Sequence, residues 1–187
     1  MSPYSWFSAE RIDDLLPGVE WHGIFLGGVF KATGRSSWGF DERRKEGMAE
    51  CEKRAERYGL GPIRWPDPWP TNDLTVARAM ACAAREGRLR PFALAAMRLA
   101  FLEGGELGDP DTVLEAGRRA GLEAAVLTDA LSDPQIKAAL RHETDAAVAQ
   151  GVFGVPTVIV DGEAFWGDDR LGEAAAAVAR LSDIAAA

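Results

Sequence analysis

The sequence predicts an α/β fold with strands at the two ends of the chain and helices filling the middle. Three observations lead there. Thr157, Val158, Ile159 and Val160 form a short β-branched run that Asp161-Gly162 hands to a second short run ending at Trp166, the pattern of a tight hairpin. Residues 19–29 alternate early and then become apolar, as a strand does. Between these ends, apolar residues recur at helical spacing, and Gly or Pro punctuates each segment.

Taken in order, Ser2-Pro3 reads as a helix start, with Ser at the N-cap and Pro at the first helical position. That helix runs through Trp6, Phe7 and Ile12 to about Leu16, and Pro17-Gly18 ends it. Its N-terminus is a positive dipole end with free N–H groups, suited to an anion or thiolate. On the residues alone, Ser2 is a cap. Residues 19–29 follow as a strand, with His22 an ordinary strand residue. Residues 30–38 read as a loop that is polar at Gly34, Arg35, Ser36 and Ser37. Its flanking aromatics, Phe30, Trp38 and Phe40, either wall an apolar substrate pocket or cover the core.

Residues 41–58 form an amphipathic helix with Met48, Cys51, Ala55 and Tyr58 on one face, stopped by Gly59 and Gly61-Pro62. A proline-rich connector with two tryptophans, packed against the domain, leads to Asn72, which reads as the N-cap of a helix over Leu74–Arg85. Further helices are expected over 91–102, 111–120, 123–131 and 134–150, with Asp109-Pro110 and Asp133-Pro134 as cap-plus-proline starts. Pro156 either opens the first hairpin strand in trans or makes a cis bond. A cis bond would turn the Val155 backbone groups outward, where an extended peptide could pair with them. Asp168 and Asp169 precede an Ala-rich helix from Arg170, where caps complement the dipole.

At 187 residues and 47% apolar content, the chain is one domain or one domain carrying an insertion. A net charge of −8 and a pI near 4.9 argue against a nucleic-acid surface. No apolar run approaches the roughly 20 residues needed to span a bilayer. The polar opening does not read as a signal peptide, so a cytoplasmic protein is expected. Cys51 and Cys82 sit in separate helical segments and read as small core residues; without a C-x-x-C there is no dithiol to carry redox chemistry. His22 and His142 have no metal-site spacing, so no metal is expected.

Val155-Pro156-Thr157 followed by a hairpin and Trp166-Gly167-Asp168-Asp169-Arg170-Leu171 resembles the C-terminal half of a thioredoxin-like domain. More narrowly, it is similar to the DsbA-like branch holding the 2-hydroxychromene-2-carboxylate isomerases and the kappa-class glutathione transferases. The opening Ser2-Pro3-Tyr4-Ser5-Trp6 resembles that branch's active-site start, so the likeness covers nearly the whole chain. It implies a discontinuous thioredoxin-like domain over 1–40 and 150–187, with an all-helical insertion over 41–149. That branch carries a strand just before this serine, where here only Met1 stands. The first sheet strand is therefore expected to be missing, which reads as a truncated or misassigned start.

The resemblance also implies a site. Ser2 stands where the disulfide oxidoreductases carry their attacking cysteine, and would hydrogen-bond the sulfur of bound glutathione. Val155, before a cis Pro156, would pair with the cysteinyl backbone. Asp169, with Asp168 second, would take the γ-glutamyl amine; the branch has a polar residue followed by Asp, so Asp168 departs mildly. Asn72 matches an Asn near the cleft, and Trp38 and Phe30 would line the substrate pocket. The implied activity is a glutathione-dependent isomerase of the bacterial 2-hydroxychromene-2-carboxylate type, whose thiolate adds reversibly to a small aromatic or conjugated electrophile. Two alternatives stay open: a kappa-class-like transferase, and a redox-inactive module that grips extended peptides at the Val155 edge. A homodimer is allowed; nucleic acid and membrane are not expected partners.

Overall fold

The structure, a computed structural model, describes residues 1–186 and the side chains through Asp183. Helix α1 spans Pro3–Leu15, and its two faces feed two cores. Trp6, Phe7 and Ala9 enter a large cluster shared with the central helices, whereas Ile12 and Leu16 enter a smaller one with the hairpin and the last helix. This helix is therefore the spine that joins the chain's ends to its middle.

The central helices are α3 (Arg44–Arg57), α4 (Leu74–Arg85), α5 (Leu89–Glu103), α6 (Pro110–Arg119), α7 (Ala124–Ser132) and α8 (Pro134–Ala149). Two of their starts follow the expected chemistry. The Asp109 carboxylate accepts from the Asp111 N–H and the Asp133 carboxylate from the Gln135 N–H, each with proline at the next position. Small residues let α4 and α5 pack closely: Ala79, Ala83, Ala96 and Ala100 are all buried.

The hairpin is as read from the sequence. Strands β1 (Thr157–Val160) and β2 (Glu163–Trp166) pair antiparallel, with Thr157 opposite Trp166 and Val160 opposite Glu163. Asp161 and Gly162 both have positive φ, 48° and 81°, as a two-residue primed turn requires. Helix α9 (Leu171–Ala186) covers the ribbon, with Leu171, Ala174 and Ala177 packing on Val158 and Phe165.

One expectation is overturned. Residues 19–29 do not form a strand, and among the described residues the sheet has two strands only. Residues 19–25 run without ladder bonds, and helix α2 occupies Leu26–Thr33, taking in what was read as the start of a loop. The apolar run Ile24–Val29 fits either period, and a short run of that kind cannot be told from a buried helical turn. Two local contacts favour winding. The Phe25 N–H, at the N-cap of α2, is satisfied by Thr144 Oγ1 on α8 at 3.1 Å. Gly27 and Gly28 leave room for the Phe25 ring, which a Cβ on Gly27 would meet at 2.7 Å. No helix among the described residues is long and apolar enough to cross a membrane.

Candidate functional site

A cleft of about 1050 Å³ opens at the N-terminus of α1. Ser2 is the N-cap residue of that helix, with extended backbone angles (φ −101°, ψ 130°), yet its side chain makes no capping hydrogen bond. The hydroxyl is therefore unspent, and so is the positive end of the helix, because nothing caps the first-turn N–H groups. On the same cleft wall lies Val155, whose N–H and C=O have no hydrogen-bond partner among the described residues. The Val155–Pro156 bond is cis, and Pro156 itself turns its carbonyl to the Gly167 N–H.

Aromatic side chains line the rest. Trp38 begins a 3-10 turn and lies 4.9 Å, ring centre to ring centre, from Trp69, with Tyr4 at its edge. It rests flat on α3 because position 47 is glycine; a Cβ there would come within 2.5 Å of the indole. Phe30 and the exposed Phe40 stand on the same cleft. Asn72 is there as well, but its carbonyl oxygen already accepts from the Leu74 N–H at 3.2 Å, so only its amide NH₂ is free.

Ser2, Val155, Asn72, Trp38 and Phe30 thus share one cavity, whereas Pro156, Asp168 and Asp169 are not on its lining. Asp168 is placed quite differently from the expectation. It is 1% exposed; one carboxylate oxygen accepts from Arg54 at 2.7 Å and the other from the Tyr58 hydroxyl at 2.9 Å. Arg11 lies 4.0 Å away and stacks on the Tyr58 ring. With both oxygens engaged, this carboxylate is an internal anchor rather than a group on offer to a ligand. Asp169 is exposed and makes no ion pair among the described residues; its carboxylate folds back towards Gly167, next to the cleft-lining Trp166.

Two features of the cleft were not foreseen from the sequence. Arg35, read there as a polar loop residue, stands over the Phe153 ring at 4.1 Å and near Trp166 at 5.8 Å, on the Val155 side. It has no carboxylate partner among the described residues, which leaves a desolvatable cation beside two aromatic faces. The second is a polar relay leading inward from the cleft. The Tyr4 hydroxyl donates to Glu50, Glu50 accepts from Arg54, and Arg54 reaches Asp168. Burial, reinforced by Cys51 and Glu50, pushes the Tyr4 hydroxyl well above its ordinary pKa, so it remains a neutral donor. Burial also works against the Arg54 charge, but Asp168 and Glu50 outweigh it and hold the guanidinium protonated. The signal for this relay lay in Tyr4, Glu50, Arg54 and Tyr58, but only folding brings them to Asp168.

The chain matches the model of the DsbA-like thioredoxin domain over residues 1–179. It belongs to that family. This DsbA-like chain is 26% identical over 180 residues to a 2-hydroxychromene-2-carboxylate isomerase of Sphingobium xenophagum, covering 91% of the chain and 90% of that protein. It is 24% identical over 189 residues to human glutathione S-transferase kappa 1, covering 91% of the chain and 84% of the relative. In fold it is similar to a solved 2-hydroxychromene-2-carboxylate isomerase, with a TM-score of 0.84 over 99% of this chain and 93% of that one, at 22% identity. A probable DsbA oxidoreductase from Streptomyces coelicolor aligns at a TM-score of 0.68 and 20% identity, covering 93% of this chain and 84% of the other. The DsbA-like fold is thus present here in a mostly helical form, with a two-stranded sheet among the described residues.

Proposed function

We propose that this protein is a glutathione-dependent isomerase acting on a small aromatic or conjugated electrophile. The observation that carries the reading is the pairing of an unspent Ser2 hydroxyl at a helix N-terminus with an open Val155 backbone on one cleft. Those groups fit glutathione by their chemistry: a hydroxyl donor and a positive helix end for a sulfur anion, and a free backbone edge for a peptide. When bound, glutathione supplies a thiolate that adds to a conjugated carbon and leaves again.

The chain's own residues do the rest. Ser2 would donate a hydrogen bond from its hydroxyl to the sulfur and, with the helix dipole, lower the free energy of the anion. Val155 would hold the peptide in an extended pose through its free backbone groups, which would keep the sulfur near the helix end. Arg35, on the cleft wall, would pair with a glutathione carboxylate, and Asp169, just outside the lining beside Trp166, would take the amine. Trp38 and Phe30 bind the flat, apolar body of the electrophile. Asp168 is left out of this assignment because its oxygens are already used. A cytoplasmic setting accords with two buried free thiols and no disulfide.

The test is a calorimetric titration with reduced glutathione alongside ultraviolet detection of bound thiolate at neutral pH. The intact protein should bind one glutathione per chain as thiolate. Ser2→Ala should keep most of the binding but lose the thiolate band and about a hundredfold in kcat. No glutathione binding at all would overturn the reading. The transferase reading is favoured by the likeness to the kappa-class relative. Mass analysis of the product distinguishes the two, since a transferase leaves glutathione on it and an isomerase does not.

A further inference from the structure

A second cavity, of about 520 Å³, lies between α2, α4 and α8, with only Phe25 in common with the cleft. Its charge is unlike that of the molecule. The chain carries 29 acidic against 21 basic residues, yet Lys31, Arg78, Lys137 and Arg141 all line this cavity, with Asp145 as its lone carboxylate. Lys137 and Arg141 stand one turn apart on the same face of α8. None of the four cations has a carboxylate within ion-pair distance among the described residues, although nine arginines elsewhere do. Arg78 uses one nitrogen on the Leu131 carbonyl at 3.0 Å, and its fork is otherwise free.

Four cations line one cavity against a single carboxylate, so the arrangement gains from an anion bound among them. The rest of the wall is apolar: Phe25, Leu74 and Leu140, each at least half-buried. Thr144 adds no free polar group, since its hydroxyl donates to the Leu140 carbonyl and accepts from the Phe25 N–H. The volume suits a ring-sized molecule better than a bare oxyanion.

We propose that this cavity is a binding site for a small organic dianion with an apolar body, of the aryl phosphate class, separate from the candidate glutathione cleft. The phosphate or its equivalent engages Lys31, Arg78, Lys137 and Arg141, and the ring lies against Phe25, Leu74 and Leu140.

The probe is phenyl phosphate, followed by calorimetry on the full chain. One molecule per chain should bind, more weakly as salt is raised, and the double variant Lys137→Gln/Arg141→Gln should lose at least about tenfold in affinity. Both residues are exposed, so the variant is expected to fold, which its circular dichroism checks. Arg35→Gln in the cleft should leave phenyl phosphate binding intact, and phenol should not bind. Absence of binding, undiminished binding in the double variant, or loss of binding on Arg35→Gln overturns the site. Inorganic phosphate binding as tightly as phenyl phosphate overturns the assignment of an organic ligand.

Discussion

Arg54 and Asp168 meet at 2.7 Å across 114 residues of chain, one from the central helical block and the other from the turn that follows the hairpin. Asp168 is buried, so the pair is poorly screened, and the Tyr58 hydroxyl completes its coordination. Removing one partner of a buried pair strands the other charge. Asp168→Ala should therefore cost about 3–5 kcal/mol of unfolding free energy in urea, whereas the exposed Asp169→Ala should stay within about 0.5 kcal/mol. Equal effects of the two substitutions would refute the anchoring role.

Arg35 separates a ligand-binding function from a structural one. It is exposed and stands over two aromatic faces, so Arg35→Gln should leave the unfolding midpoint nearly unchanged. If it pairs with a glutathione carboxylate, the same substitution should raise the dissociation constant for glutathione by about tenfold, with kcat little affected. An unaltered dissociation constant removes Arg35 from the proposed site.

Stability should be bounded on both sides by ionisation. Arg98 hydrogen-bonds the Glu10 carboxylate and holds its pKa below the ordinary 4.5, outweighing burial. A depressed acid means that the unfolded chain takes up the proton first, so this contribution is present above about pH 4.5 and lost as pH falls below it. Burial pushes the Cys51 thiol from 9.0 up to about 12, and the sign reverses. Here the unfolded chain ionises first, so stability is full below about pH 9 and drains away as pH climbs towards 12. Urea midpoints across pH should show both limbs. Glu10→Gln should shrink the acid limb and Cys51→Ala the alkaline one, the remainder of the alkaline limb coming from Tyr4 and Cys82, which burial also raises; a limb left undiminished in its own variant removes that residue as a contributor.

The same burial governs thiol chemistry. Cys51 and Cys82 are both fully covered, and burial raises both thiols above their ordinary pKa. A thiol-specific reagent at neutral pH should label neither residue in the native protein and both after denaturation. Labelling of native Cys51 would mean that the Tyr4 end of the cleft opens to solvent.

Much of this architecture was legible because it is local. The helix Leu74–Arg85 has the bounds its periodicity gives, and Asp133-Pro134 caps the helix it was read to cap. The hairpin follows from Asp161-Gly162 and the β-branched run before it. Ser2, Val155, Asn72, Trp38 and Phe30 also share one cleft, though the family likeness rather than any pattern suggested it. What failed depended on distant partners. Residues 19–29 carry a strand's alternation, but a strand also needs a neighbour, and Thr144 from α8 caps a helix there instead. Asp168 reads from the sequence as a helix cap, or second to Asp169 as a ligand group, because nothing near it in sequence shows Arg54 or Tyr58. Arg35 was passed over because loop polarity does not disclose which aromatic faces lie beneath it.

The primed turn at Asp161-Gly162 sets a rhythm on β1. With Val160 and Glu163 as the innermost bonded pair, Val158 and Val160 direct their amides into the ladder, and Thr157 and Ile159 direct theirs to the opposite side, where β1 has no partner strand among the described residues. In deuterated water the two sets should separate. Amide protons of Val158 and Val160 would be retained until the ribbon opens, while those of Thr157 and Ile159 would be replaced early. A strand of four residues would then carry two exchange lifetimes at alternate positions, and the short one would begin immediately beyond the Val155–Pro156 bond that borders the cleft.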